Sequence, residues 1–162
     1  MNNIFSKDRF NIATDVLLKF IEAIPKDSLK YRPDVENGWT IYKHIIHIAE
    51  SELNAFLRLK TILGEPGKET FVIGESKWIN NIDCHKEYID DYLLLLKIIR
   101  KIECNLLINL DYEKYESNKV IHPDYGEIDI KKWIECYTSY HFDFHIKLMK
   151  RNINLWNKNK IL

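Results

Sequence analysis

Helical periodicity is the feature that most constrains the fold of this chain. Apolar residues recur every three or four positions along four long stretches, and the 5 glycines and 4 prolines lie between those stretches. Because glycine and proline rarely occur inside helices, this pattern predicts four helices, at approximately residues 8–24, 40–63, 83–110 and 129–156. The connections at residues 26–38, 64–80 and 111–126 are predicted to be irregular.

Four long helices in a chain of 162 residues predict an all-α protein, a four-helix bundle that forms one domain over residues 1–162. Hydrophobic residues make up 46% of the chain and charged residues 30%, which is typical of a folded globular protein rather than a disordered one. The sequence has no internal repeat and no linker long enough to divide it.

Charge, hydropathy and cysteine content exclude several classes of protein. The formal net charge is zero, so nucleic acid is not an expected partner. The longest apolar run, Tyr92 to Leu96, ends at Lys97 and is far too short to cross a membrane. The N-terminus lacks the pattern of a secretory signal. Three widely spaced cysteines without a CxxC pair indicate reduced thiols, and the cytoplasm is the expected location.

The fourth predicted helix carries two histidines one helical turn apart, His141 and His145. Both fall on its predicted inward stripe, which comprises Ile130, Trp133, Ile134, Tyr137, Phe144 and Leu148. Buried imidazole nitrogens need partners, and a metal ion would accept a lone pair from each ring. The alternative is two core histidines bonded to water, backbone or other side chains. For this motif taken alone, that alternative is favoured.

A third ligand would have to come from another helix, and the second helix offers His44 and His47. His44 lies near the edge of the apolar stripe of that helix. His47 lies further round, beside Ser51, Asn54 and Arg58, on a face that could meet a different helix. Spacing alone leaves the choice between the two histidines open.

Three motifs, in this order, resemble those of the DinB/YfiT-like family. Trp39 and Thr40 precede His47 by about two turns, the segment His122-Pro123-Asp124-Tyr125-Gly126 leads into the last helix, and that helix contains His141 and His145. Chain length and helix order match the family over essentially the whole sequence. The resemblance implies an up-down-down-up bundle with a metal centre formed by His47, His141 and His145.

Three neutral imidazoles would leave at least one coordination position open for water or substrate, unlike a closed structural zinc site. The expected cofactor is one divalent transition metal; zinc is the first expectation, and nickel, iron or cobalt also suit these ligands. HFDFH lacks the glutamate of an HExxH protease, so a zincin is excluded.

Glu52 is the candidate catalytic residue, because helical phase puts it on the apolar stripe of the second helix. It would be either a buried base with a raised pKa or a structural partner of an arginine or tyrosine, and the second reading is favoured. His44, His85 and Trp39 are predicted to serve ordinary structural roles.

The resemblance implies a metal-dependent enzyme that acts on a small molecule, either a thiol (bacillithiol-type) S-transferase or a hydrolase. One alternative is a noncatalytic metal- or ligand-binding helical bundle, and another is a helical interaction protein without metal. The expected partners are a small-molecule substrate, with a low-molecular-weight thiol as one candidate, and a second copy of the chain in a homodimer, with no nucleic acid and no membrane.

Overall fold

The computed structural model describes residues 5–35, 38–70, 75–86, 88–123 and 125–160. Within these ranges the elements are α1 (Lys7–Glu22), α2 (Ile41–Gly64), α3 (Glu75–Asn81), α4 (Ile89–Ile108), β1 (Lys119–His122), β2 (Gly126–Asp129), α5 (Ile130–Tyr137) and α6 (Tyr140–Asn159). Helices α1, α2, α4 and the α5–α6 pair form the predicted four-helix bundle. No helix among these residues combines the length and the apolar character that a bilayer-spanning segment needs.

Two core clusters establish the directions of the helices. The first cluster joins the beginning of α1, the ends of α2 and α4, and α5; its members include Phe10, Leu59, Ile62, Cys104, Leu107 and Trp133. The second joins the end of α1, the beginnings of α2 and α4, and α6; its members include Leu17, Ile21, Ile45, Ile48, Leu96, Phe142 and Ile146. Therefore α1 and α5–α6 run in one direction and α2 and α4 in the other, the up-down-down-up order that the family resemblance implies.

Helix α2 is the central helix of the bundle. Thr40 caps its beginning, as predicted, by accepting a hydrogen bond from the Lys43 N–H at 3.2 Å. Its buried residues lie on nearly every face, since it packs against α4, α5 and α6 as well as α3 and β1. Both His44 and His47 are therefore buried, and both rings contact Trp39 and His145.

The prediction of one continuous fourth helix at 129–156 is wrong, because the helix breaks at Thr138 and Ser139. Arg100 of α4 donates hydrogen bonds to the carbonyls of Tyr137 at 2.9 Å and Thr138 at 3.1 Å. The Thr138 hydroxyl also donates to the Ile134 carbonyl at 2.6 Å, a bond that tends to bend helices. These groups hold the chain in a break between α5 and α6.

The break shifts the inward face of α6 by one residue relative to the face of α5. Phe142 is buried, whereas Phe144, which was predicted to point inward, is 52% exposed. The predicted inward stripe is therefore correct for α5 and wrong at Phe144.

The connections contain more regular structure than the sequence predicts. The segment 64–80 includes most of α3, and the third long helix starts at Ile89 instead of near residue 83, after a 3₁₀ turn at Cys84–Lys86. Strands β1 and β2 pair antiparallel, with His122 opposite Gly126. The predicted turn at 122–126 is the end of this hairpin, and Gly126 has a positive φ of 68°. Asp124 of that turn lies outside the described residues.

Candidate metal centre

Three histidines from two antiparallel helices meet on one side of the bundle. His47 comes from α2, and His141 and His145 come from the first two turns of α6. The Nε2 atom of His141 lies 3.0 Å from Nε2 of His145 and 3.4 Å from Nε2 of His47. One ring nitrogen from each of the three lies within 4.8 Å of the others.

This spacing suits a metal ion. With metal–nitrogen bonds of about 2.0–2.1 Å, two ligands of a tetrahedral ion lie about 3.3 Å apart. The measured separations of 3.0 and 3.4 Å are close to that value. Without an ion, each close nitrogen pair needs a proton on one member, whereas a cation accepts all three lone pairs together. The donor set therefore fits one divalent transition metal.

Burial keeps the imidazoles of His47 and His145 in the neutral form that binds metal. Removal from water lowers the pKa of His47 to about 4. The pKa of His145 falls to about 2, chiefly because the ring is buried and also because of the neighbouring His141, His47 and His44. His141 is less buried than the other two, so the group is accessible from its side.

His44 does not belong to this group but contacts one of its members, His145. Its Nδ1 atom lies 2.9 Å from Nδ1 of His145. The other ring nitrogen of His145, Nε2, is the one that lies close to His141. The three-histidine group thus contains His47 and not His44, a choice that spacing alone had left open. Burial, together with the nearby His47 and Arg151, lowers the pKa of His44 to about 4.

Trp39 forms a wall of the candidate centre. Its ring centroid lies 5.0 Å from that of His47, 5.4 Å from that of His44 and 6.4 Å from that of His145, to which it is nearly parallel. Asn152 of α6 donates to the Trp39 carbonyl at 2.7 Å and so attaches this residue to the helix that carries two of the histidines.

The structure places Glu52, the candidate base, within an ion pair. Its carboxylate accepts a hydrogen bond from Arg100 at 2.8 Å, and both side chains are almost fully buried. Glu52 is not part of the three-histidine group. This position agrees with the interpretation that Glu52 is a structural partner of an arginine. Its carboxylate is bound to Arg100 and is not a ligand of the candidate centre.

Trp39 and His44 are the site residues that sequence reasoning assigned to ordinary structural roles. The spacing of His44 and His47 by three residues on one helix was the available signal, because a second histidine one turn from a ligand can contact the same partner helix. For Trp39 the available signal was its place in the motif before His47, which was used to identify the family and not to assign Trp39 to the site.

A cavity of about 580 Å³ is lined in part by Trp39, and His47, His141 and His145 are not among its lining residues. Its lining includes the cationic side chains of Arg32 and Lys43, together with His85 and Asp83. The Asp83 carboxylate forms an ion pair with Lys86 at 3.3 Å. The cavity is therefore polar and predominantly cationic.

Comparison with known proteins identifies the relatives of this chain. A family model described as the DinB superfamily matches residues 9–92. A protein from Bacillus cereus (strain AH820), described as "Putative metal-dependent hydrolase", is 28% identical over 152 residues, which cover 86% of this chain and 87% of the relative. A protein from Bacillus thuringiensis with the same description is 27% identical with the same coverage.

A solved structure shares the fold. YfiT from Bacillus subtilis, described as "a probable metal-dependent hydrolase with an unusual four-helix bundle topology", matches with a TM-score of 0.80 and 21% identity. The match covers 93% of this chain and 85% of YfiT. At this identity the likeness establishes the four-helix fold.

Proposed function

The chain belongs to the DinB superfamily, and we propose that it is a metal-dependent enzyme that acts on a small molecule, as a hydrolase or as a thiol S-transferase. The observation that carries this proposal is the convergence of His47, His141 and His145 within 4.8 Å. The descriptions of its Bacillus relatives as metal-dependent hydrolases support the same class of activity.

The positions of the side chains indicate the role of each residue in this proposal. His47, His141 and His145 would hold the ion, for which zinc is the first candidate and nickel or iron the next. When bound, such an ion supplies Lewis acidity that activates a water molecule for hydrolysis or a thiol for transfer. Trp39 contacts the ring of His47 and also lines the neighbouring cavity, so this side chain borders both the centre and the cavity.

The cavity lined by Trp39 is further support for the proposal of a small-molecule substrate. Its volume of about 580 Å³ is within the usual range for ligand pockets. Arg32 and Lys43 favour a substrate with an anionic group, since the carboxylate of Asp83 is already paired with Lys86. A low-molecular-weight thiol that carries carboxylates has this chemistry.

A noncatalytic metal- or ligand-binding protein is the second candidate. The observation that favours it is the position of Glu52, whose carboxylate is bound to Arg100 and is therefore not placed to act as a general base at the centre.

Location and assembly are further parts of this proposal. Cys84, Cys104 and Cys136 are free thiols, which is consistent with the reducing cytoplasm. A homodimer is proposed because Leu94, Ile98 and Ile102 form an exposed apolar row along α4. Sedimentation velocity measures the assembly state, and a monomer at all concentrations would contradict the proposed homodimer.

Metal content tests the proposed function most directly. We expect untagged wild-type protein to contain about one transition-metal ion per chain by mass spectrometry. His47→Ala, His141→Ala and His145→Ala should each lose it, because two imidazoles rarely hold an ion tightly. The matched control is His85→Ala, which removes a histidine that contacts Tyr42 and should retain the metal.

Turnover then separates the two candidate functions. Metal-dependent hydrolysis of a generic ester, or metal-dependent conjugation of a generic electrophile to an added thiol, would support the enzyme. Metal binding without either reaction would favour the noncatalytic protein. Protein that binds no metal even after reconstitution would contradict the enzyme and the metal-binding form of the second candidate, and would leave only a ligand-binding protein.

A further inference from the structure

We propose that His44 is a positioning residue, which fixes the ring orientation and the tautomer of His145 by accepting a hydrogen bond from its Nδ1–H. This inference rests on the proposed metal centre and concerns a residue outside the three-histidine group. The two Nδ1 atoms lie 2.9 Å apart, and both side chains are almost completely buried.

The direction of this hydrogen bond follows from the tautomer that metal binding requires. A neutral imidazole has one protonated nitrogen and one lone-pair nitrogen. Nε2 of His145 faces His141, so this nitrogen must offer its lone pair to the ion. The proton of His145 is then on Nδ1, and Nδ1 of His44 must be the acceptor. Metal-bound histidines commonly donate their second N–H to such a partner.

This hydrogen bond leaves the other ring nitrogen of His44 without a partner in the described part of the chain. Once its Nδ1 atom acts as the acceptor, its proton lies on Nε2. That nitrogen is buried and has no hydrogen-bond partner among the described residues. A buried donor without an acceptor is unfavourable and calls for an explanation. The bond to His145 provides one, because it holds a ligand ring in place while Trp39 packs against both rings.

The geometry also excludes Nδ1 of His44 as a fourth ligand of the ion. Its Nδ1 atom faces the nitrogen of His145 that points away from His141. A neutral imidazole acceptor adds no negative charge to the centre, unlike a carboxylate in the same position. The ion would therefore keep more of its Lewis acidity than in a carboxylate–histidine arrangement.

A pair of substitutions at position 44 tests this role. His44→Leu removes the acceptor and keeps an apolar side chain of similar size, whereas His44→Asn places an amide oxygen near the position of Nδ1. We expect His44→Leu to bind zinc about 10–100-fold more weakly in competition with a chelator, which is the usual effect of losing such a partner. His44→Asn should recover most of that loss.

Spectroscopy provides a readout that a purely structural role would not change. The visible spectrum of the cobalt-substituted protein should shift in His44→Leu and return towards wild type in His44→Asn. Nitrogen NMR of the zinc-loaded wild type should show protons on Nδ1 of His145 and on Nε2 of His44. His85→Leu is the control, and its zinc affinity and cobalt spectrum should match those of wild type.

The outcomes separate this inference from the proposed function. If wild type binds zinc and His44→Leu binds it equally well with an unchanged cobalt spectrum, His44 has no positioning role and the metal centre stands. If Leu and Asn weaken zinc binding equally, the acceptor is irrelevant and the inference is overturned. Wild type that binds no zinc would overturn the metal centre and this inference together.

Discussion

Arg100 organises the polar interior of the bundle at the level of a single residue. All three of its guanidinium nitrogens donate hydrogen bonds, and the acceptors are Thr14 Oγ1, Glu52 Oε1 and the carbonyls of Phe10, Tyr137 and Thr138. A buried cation is tolerated only when it is paired and fully hydrogen-bonded. Glu52 supplies the paired charge, since it lies 2.8 Å from Arg100 whereas Glu103 lies 3.9 Å away.

Glu103 is expected to be protonated in the folded protein at neutral pH. Burial raises its pKa to about 11, and the neighbouring Glu52 adds to this effect while Arg100 opposes it. Above the ordinary pKa of about 4.5 the unfolded chain loses this proton while the folded protein keeps it. The folded state then binds more protons than the unfolded state, so this group lowers the free energy of unfolding as pH rises from 4.5 towards 11.

Glu103→Gln should therefore become more stable relative to wild type as pH rises from 5 to 9. Glu52→Gln should instead destabilise the fold by about 3–5 kcal/mol at pH 7, because it leaves the buried Arg100 without its counter-charge. Thermal and urea unfolding at several pH values measures both effects. If the two variants behaved in the opposite way, Glu103 would be the charged partner of Arg100.

At the level of elements, the sequence predicts helices better than it predicts their interruptions. The periodicity of apolar residues is local, so it identified the four long helices and the cap at Thr40. The break at Thr138 depends on Arg100, which is 38 residues away in sequence, and no local pattern reveals it. The four-residue strands of the hairpin are likewise too short to show a reliable alternation.

The same limit applies to the site. His141 and His145 were identified as a pair by their spacing on one helix. Spacing alone could not choose between His44 and His47, because α2 is buried on most faces and so gives no single inward stripe; only the family resemblance indicated His47. Glu52 could be assigned to an ion pair only once Arg100 was placed beside it.

Arg100 also connects the core to the candidate centre, because it holds the break three residues before His141. Arg100→Met should destabilise the fold by about 3–5 kcal/mol, since Glu52 loses its partner. It should also weaken zinc binding, because the beginning of α6 loses two of its anchors.

A double variant separates these two effects. Arg100→Met combined with Glu52→Leu removes both buried charges and should recover much of the lost stability. Its zinc affinity should remain reduced, because the carbonyls of Tyr137 and Thr138 still lack their donor. If the double variant bound zinc as wild type does, Arg100 would have no influence on the centre.

At the level of the whole molecule, the candidate centre joins two helices that are distant in sequence and antiparallel in space. His47 and His141 are separated by 94 residues, and their helices also contact each other through the second core cluster. A metal ion bound by both helices adds a link that is absent from the unfolded chain. Metal binding should therefore stabilise the folded state.

Removal of metal by a chelator should accordingly lower the melting temperature. A ligand at 100 times its Kd stabilises the folded state by about 2.7 kcal/mol. For a domain of this size each kcal/mol corresponds to roughly 2–4 °C, so calorimetry should show a decrease of about 5–10 °C that zinc addition reverses. His141→Ala is the control, because His141 is the most exposed of the three ligands and its removal disturbs packing least. That variant should melt at the same temperature with and without chelator, whereas an equal response in variant and wild type would place the stabilising metal elsewhere.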